Sequence, residues 1–174
     1  WYHWNWHRGL SISRHQCQCS QWDPSSTNNN VSLQDINNYN IDSEYEHWNI
    51  HIDDNTNNRS LRIRGYFKAK ATGNHQFHIR ADDAMYVWLG NAGDNISTLE
   101  PTLTQGSAVV SAPGTHGDQV VNGTIALVEG ETYPFIIYHG QTGGGMTCRF
   151  EFTLPDNTRH WDLSNYFYPD VGAQ

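Results

Sequence analysis

The amino-acid sequence predicts an all-β protein, an antiparallel β-sandwich with long loops rich in Gly, Asn and Ser. Two observations carry this prediction. Short segments alternate between apolar and polar residues with a period of two, most clearly between residues 61 and 90. Turn-forming residues separate these segments at fairly regular spacing, and no convincing amphipathic helix interrupts them. The 174 residues have the length of one ordinary domain, so we expect a single domain over 1–174.

The amino end begins with an aromatic strand, residues 1–7, in which Tyr2, Trp4 and Trp6 share one face. These three side chains either pack inside the domain or dock on a neighbouring subunit, and the sequence leaves both alternatives open. Residues 20–43 are polar and follow neither the helical nor the strand period, which predicts a long surface loop.

The central segment predicts three strands in succession. The second strand follows a turn at residues 72–74, and the third follows the acidic pair Asp82-Asp83 and ends at Gly90. The inward residues of the three strands are Leu61, Ile63, Gly65 and Phe67, then Phe77, Ile79 and Ala81, then Met85, Val87 and Leu89.

The carboxyl half also predicts strands, separated by polar or glycine-containing segments. Residues 91–116 are rich in Gly, Ser, Thr and Pro and give only a weak strand signal at Val109 and Val110. Strands resume around residues 125–127, 133–137 and 146–154, with glycine-containing turns between them.

Charge and hydropathy exclude several kinds of partner. Ten Lys and Arg stand against eighteen Asp and Glu, for a formal net charge of −8, and no basic stripe is present. Nucleic acid is therefore a poor partner, and so is an anionic membrane surface. No apolar run approaches the roughly 20 residues of a membrane span, so we expect no membrane insertion. Without an initiator methionine or a signal peptide, the chain is interpreted as a mature product or an excised domain.

Four Asn-x-Ser/Thr triplets lie in polar, loop-like surroundings and are candidate glycosylation sites: Asn30, Asn58, Asn95 and Asn122. Together with scarce Lys and ample Trp and Tyr, they favour a protein that is secreted, extracellular or at the cell surface.

The three cysteines fit a secreted chain but leave alternatives open. Cys148 shares a strand face with Phe150 and Phe152, which suits a buried thiol or a disulfide to Cys17 or Cys19. We take the disulfide as the working hypothesis. It would leave one cysteine for an intermolecular bond or a reactive thiol.

The acidic pair Asp82-Asp83 is the first candidate site. Adjacent carboxylates at a strand end must be solvated, paired or neutralised by a cation. Signatures of common enzymes are absent: the sequence has no Gly-x-Ser-x-Gly, no His-Glu-x-x-His and no phosphate-binding Gly-x-x-x-x-Gly-Lys. A non-enzymatic protein is therefore predicted.

The chain resembles a known family over about residues 61–158. The segments GYFKAKATGNHQFHIRADDAMYVWLG, GTIALVEGETYPFIIYHGQTGGG and FTLPDNT are similar in order and spacing to the anthrax protective-antigen type domain, above all to its fungal branch, the GLEYA and flocculin adhesins. The resemblance implies a β-sandwich that serves as a carbohydrate-binding or accessory module in adhesins, toxins and glycosidases.

The resemblance also implies a site. In the adhesins, the two aspartates that match Asp82 and Asp83 coordinate calcium and are joined by a cis peptide bond, and the sugar binds through the ion. Sugar-binding flocculins place an asparagine ligand in the loop that matches residues 138–145, where this chain has Gly140. The candidate ligand-binding residues of that loop are Gly140, Gln141, Thr142 and Gly143. Two uses of the aspartate pair stay open, calcium coordination and a structural ordering of the corner.

These observations predict a non-enzymatic extracellular adhesion or surface module, with calcium-dependent carbohydrate binding at the Asp82-Asp83 corner. The partners would be glycans. One alternative is a structural subunit of a self-assembling fibre or coat, with copies of the chain as partners and sugar binding lost. A second alternative is an accessory domain of a glycosidase.

Overall fold

Two antiparallel sheets pack face to face in the computed structural model, which describes residues 9–27 and 32–170. The predicted β-sandwich is therefore confirmed. The predicted aromatic strand 1–7 and the triplet at Asn30 lie outside the described residues.

The first sheet has seven strands. Along its main path the order is β2 (Ile41–His47), β1 (Leu10–His15), β4 (Arg59–Lys68), β9 (Thr132–Gln141), β6 (Met85–Leu89) and β7 (Val110–Ala112). The seventh strand, β12 (Phe167–Pro169), pairs with β4 beyond the end of β1.

The second sheet has five strands, in the order β11 (Arg159–His160), β10 (Met146–Thr153), β5 (Gly73–Asp82) and β8 (Gln119–Leu127). The fifth strand, β3 (Ile50–Asp54), also pairs with β10. Two short helices, α1 (Cys19–Trp22) and α2 (Ile96–Leu99), lie between strands. No helix among the described residues is long and apolar enough to cross a membrane.

The inter-sheet core is built by the inward faces that the alternation predicts. Aromatic rings dominate it, and neighbouring rings meet edge to face, as Phe77 does with Phe135 at 6.0 Å and with Phe150 at 5.2 Å between ring centroids. Its largest fully buried members are Phe67, Phe77, Phe135, Phe150, Phe152 and Phe167.

The seven-stranded sheet also buries its outer face, which the sequence did not predict. Residues that alternate with the core positions form a second cluster, here called the outer cluster. Its members include Cys17, Cys19, Trp22, Ile36, Ala84, Tyr86, Trp88, Ile136 and Tyr138.

The predicted surface loop 20–43 is wrong in part. Trp22 and Ile36 are fully buried in the outer cluster. The segment therefore covers the sheet, because the aromatic face of Tyr86, Trp88 and Tyr138 must be removed from water. Its last residues begin the edge strand β2.

The predicted disulfide is also wrong, since Cys17, Cys19 and Cys148 are all free thiols. Cys148 lies in the inter-sheet core, whereas Cys17 and Cys19 lie in the outer cluster. The seven-stranded sheet separates them, and a disulfide needs Cα atoms within about 7 Å. Burial raises the pKa of all three thiols, that of Cys19 to about 12.

Candidate functional site

The Asp82-Asp83 pair lies where the chain crosses from one sheet to the other. Asp82 is the last residue of β5 in the five-stranded sheet, and β6 of the seven-stranded sheet begins at Met85. The peptide bond between the two aspartates is cis, as the resemblance implied. The crossover places both carboxylates at one end of the sandwich.

Asp83 ties this corner to two neighbouring loops. Its side chain is only 4% exposed. Oδ1 accepts a hydrogen bond from the main-chain N–H of His116 at 3.1 Å, and Oδ2 accepts one from the N–H of Thr142 at 3.0 Å. The main-chain N–H of Asp83 donates to the carbonyl of Gly140 at 3.1 Å. One carboxylate therefore fixes both the segment at His116 and the loop 142–145 against the acidic pair.

His139 supports the corner from the core side. It is fully buried, and its Nε2 lies 3.0 Å from the carbonyl oxygen of Asp82 and 2.9 Å from that of Thr147. Both partners are acceptors, so Nε2 carries the proton and donates. Burial lowers the pKa of His139 to about 4, which keeps the ring neutral at pH 7. A polar residue on the inward face of a strand was the only sequence signal for this role.

The carboxylate of Asp82 is the less buried of the two acidic groups at the corner. The side chain of this residue is partly exposed. Burial and the neighbouring Asp83 carboxylate raise the pKa of Asp82, and His116 opposes the shift. Within the described ranges, no lysine or arginine forms an ion pair with either aspartate. The corner therefore presents two adjacent carboxylates that no lysine or arginine of the described residues neutralises.

Gly140 is packed against the amino-terminal segment. A Cβ at this position would lie 2.7 Å from Sγ of Cys19 and 2.8 Å from Cζ2 of Trp22. Trp22 is itself held in place, because its Nε1 donates to Oγ of the buried Ser60 at 2.8 Å. The place of the family's asparagine ligand therefore has no room for a side chain. Sequence reasoning missed Cys19 and Trp22 as part of the corner.

The remaining loop residues differ in exposure. Gln141 is fully buried, and its Nε2 donates to the carbonyl of Gly144 at 2.7 Å, whereas its Oε1 has no partner. Thr142 is partly exposed and Gly143 is exposed. Gly144 receives further support from the side chain of Asn57, whose Oδ1 accepts from its N–H at 3.1 Å. The Gln141 side chain therefore stabilises the loop, while Thr142 and Gly143 lie at the surface.

The donor set at the corner fits a calcium ion in part. Two adjacent carboxylates that no lysine or arginine of the described residues neutralises suit a hard divalent cation, and each Asp83 oxygen keeps a second lone pair beside its hydrogen bond. Position 140 supplies no side-chain ligand. Within residues 9–27 and 32–170, no group of three or more His, Cys, Asp or Glu side chains is arranged to hold a metal. Further ligands would come from main-chain carbonyls.

The three described glycosylation candidates are exposed. Asn58 has a positive φ of 54° in the turn before β4. Asn95 caps α2, since its Oδ1 accepts from the N–H of Thr98 at 3.0 Å. The side-chain oxygen of Asn122 on β8 lies 2.5 Å from Nδ1 of His78.

Fold and site together define a β-sandwich module with an acidic pair at the crossover between its sheets. The model of the GLEYA domain family matches residues 59–154, which is more than half of the chain. The chain therefore belongs to the GLEYA domain family. The comparison with curated proteins finds no match.

Solved structures share the fold at low sequence identity. The Epithelial Adhesin 6 A domain from Candida glabrata, in complex with Galβ1-3GlcNAc, is 19% identical with a TM-score of 0.71, and the match covers 97% of this chain and 89% of that one. The Epithelial Adhesin 9 A domain from the same organism, in complex with Galβ1-4GlcNAc, is 20% identical with a TM-score of 0.67 over 95% and 91% of the two chains. The PA14 sugar-binding domain from an RTX adhesin is 12% identical with a TM-score of 0.66, over 94% and 99%.

Proposed function

We propose that the chain is a non-enzymatic adhesion module that acts outside the cell or on its surface and binds glycans at the Asp82-Asp83 corner. Loop 142–145 forms the other wall of the site. The observation that carries this proposal is the pair of hydrogen bonds from His116 and Thr142 to Asp83. They hold two surface loops around a partly exposed carboxylate, that of Asp82.

Each part of the corner has a role in this proposal. Asp82 and Asp83 would hold a calcium ion, which supplies open oxygen-coordination positions for vicinal sugar hydroxyls when it is bound. His139 and Asp83 hold the corner rigid, which limits the entropy lost on binding. Thr142 and Gly143 border the site at the surface, and the absence of side chains at 143–145 lets a bulky saccharide approach the main chain.

The comparisons support this proposal in two ways. The chain is a GLEYA domain, and the similar structures from Candida glabrata are adhesin domains solved with galactose-containing disaccharides. At 19–20% identity these ligands do not transfer to the present chain, because a shared fold does not imply a shared ligand. They make galactosides the first probes.

A glycan array tests the proposal. The purified chain is applied in calcium and in EDTA, beside the variant Asp82→Asn, which keeps the size of the side chain and removes its charge. We expect a defined set of glycans to be bound in calcium, with the signal lost in EDTA and in the variant. Equal signals for the two proteins, or no bound glycan in calcium, would contradict the proposal.

A second candidate function is assembly with copies of the chain, and the edge strand β2 favours it. All seven residues of β2 are exposed, including Ile41 and Tyr45, and β2 pairs only with β1 within the described residues. An open edge can add a strand from another copy. Asp42, Glu44 and Glu46 oppose this, since charges along an edge repel an identical strand. Light scattering at increasing protein concentration tests whether copies of the chain assemble. A mass that stays at that of the monomer would rule out assembly.

A further inference from the structure

Two tryptophans lie exposed against each other on the edge of the five-stranded sheet. Trp48 is 40% exposed and Trp161 is 57% exposed. Their ring centroids are 5.4 Å apart, with the planes inclined at 57°. Single exposed apolar residues are normal on a surface, but two adjacent large aromatic rings form a patch that indicates binding.

The position of this pair follows from a gap in strand pairing. Both β3 and β11 pair with the same side of β10, β3 as far as Phe150 and β11 from Phe152 onward. Glu151 is left between them. Trp48 comes just before β3, and Trp161 comes just after β11. The two segments are joined by a hydrogen bond from the N–H of Leu163 to the carbonyl of Trp48 at 2.9 Å.

The gap contains a cavity of about 340 Å³, here called the Trp161 cleft. This volume lies at the lower end of the range of small-molecule sites, roughly 300–1,000 Å³. The floor is rigid, since Ile50 and Phe150 belong to the inter-sheet core and are only 2% and 1% exposed. The indole of Trp161 therefore supplies most of the apolar surface of the cleft. The full lining is Asn49, Ile50, His51, Phe150, Glu151 and Trp161.

The rim of the Trp161 cleft carries three kinds of hydrogen-bonding group. Asn49 supplies an amide, His51 an imidazole that is exposed, and Glu151 a carboxylate. The carboxylate is oriented by an ion pair with Arg159. The cleft therefore has one aromatic wall and donors and acceptors placed around a rigid floor.

We propose that the Trp161 cleft is a second saccharide subsite that takes one pyranose ring. Such a ring has an apolar C–H face, which packs on an indole, and a rim of hydroxyls, which exchange hydrogen bonds with amide, imidazole and carboxylate groups. A nucleic acid would meet carboxylates in a chain of net charge −8. A purely apolar partner would leave the polar rim unpaired.

The cleft is separate from the acidic corner. Asp82 pairs with Thr147 on β10, whereas the cleft lies at Glu151, four residues further along the strand, or about 13 Å. It also lies on the opposite side of β10 from β5. Binding at the cleft needs no metal, so its failure and the failure of the corner are distinguishable.

Nuclear magnetic resonance of the indole N–H groups tests the cleft directly. The full chain, labelled with ¹⁵N, is titrated in EDTA with the methyl pyranosides of glucose, galactose, mannose and N-acetylglucosamine, one at a time. We expect saturable shifts at Trp48 and Trp161 for at least one sugar. Trp161→Ala should weaken this binding about tenfold or more, and Asp82→Asn should leave it unchanged. Tyr168→Ala, which removes an aromatic ring that is 37% exposed at another place, is the matched control.

Three outcomes would overturn the proposal. The first is that no pyranoside shifts either indole. The second is an affinity that Trp161→Ala leaves unchanged. The third is a shift of the Trp161 indole with protein concentration alone, which would assign the patch to contact between copies of the chain.

Gly9, the first residue that the structure describes, lies against the main chain of His47 and Trp48. A variant without residues 1–8 is therefore titrated in parallel. Binding by this variant alone would show that the intact chain does not use the cleft for a sugar.

Discussion

Oδ2 of Asp83 accepts a hydrogen bond from the main-chain N–H of Thr142, 59 positions further along the chain. Oδ1 accepts a second one from His116. Asp83→Ala removes both acceptors and leaves two partly buried N–H groups unpaired, so it should lower the free energy of unfolding by about 2–4 kcal/mol. Asp83→Asn keeps one acceptor oxygen and should cost about half as much. Urea denaturation measures both, and full stability of the alanine variant would contradict the role given to Asp83.

Gly140 cannot be replaced by the asparagine that the resemblance to flocculins implies without a loss of stability. Its Cβ would clash with Cys19 and Trp22 in the outer cluster, so Gly140→Ala should destabilise the fold by about 1–3 kcal/mol, and Gly140→Asn by more. Gly143→Ala is the matched control, since the nearest atom to its added Cβ is 3.9 Å away. It should change stability by less than about 0.5 kcal/mol. Equal stability of the two alanine variants in thermal unfolding would show that the packing at Gly140 is loose.

Asp82 should make the metal-free protein less stable as pH rises. Its pKa is raised in the folded state, so its stabilising contribution is complete below the unfolded pKa of about 3.9 and is lost as pH rises through the folded pKa. In EDTA at pH 7, Asp82→Asn should therefore melt about 1–3 °C above the wild type. The difference should vanish near pH 3.

This comparison isolates Asp82 because both proteins share the other titrating groups, including His139 with its lowered pKa. A variant that melts below the wild type at pH 7 would mean that the carboxylate of Asp82 has a stabilising partner in the fold.

At least two of Asn30, Asn58, Asn95 and Asn122 should carry glycans in the native protein. The three that the structure describes are exposed, and exposed loops and strand faces accept a glycan without disturbing the core. The intact mass of the native protein, measured before and after enzymatic glycan release, shows how much glycan the chain carries. Thr124→Ala removes the triplet at Asn122 and leaves the contact of Asn122 with His78 in place, so it should lower the mass by one glycan if that site is used. An unchanged mass on release would argue against an extracellular protein.

The strands of the central segment were predictable because their signal is local. Alternation of Leu61, Ile63 and Phe67, and again of Phe77 and Ile79, fixes which face points inward without any knowledge of the partner strand. The acidic pair was predictable for the same reason, since two adjacent aspartates at a strand end are visible in the sequence itself.

The packing around Gly140 was not predictable from the sequence. It joins Gly140 to Cys19 and Trp22, which lie about 120 residues earlier in a segment with no period. Burial of Tyr86 and Trp88 on the outer face of the sheet depends on the same segment. The disulfide prediction failed through this contact as well, because the segment places Cys19 on the side of the sheet opposite Cys148.

Calcium titration by isothermal calorimetry decides whether the Asp82-Asp83 corner is a binding site as well as a structural junction. The wild type is compared with Asp82→Asn at pH 7, after both have been shown to be folded by circular dichroism. We expect one calcium site in the wild type and none in the variant. Equal heats for the two proteins, or no saturable heat in the wild type, would contradict this expectation and leave Asp83 with a structural role alone.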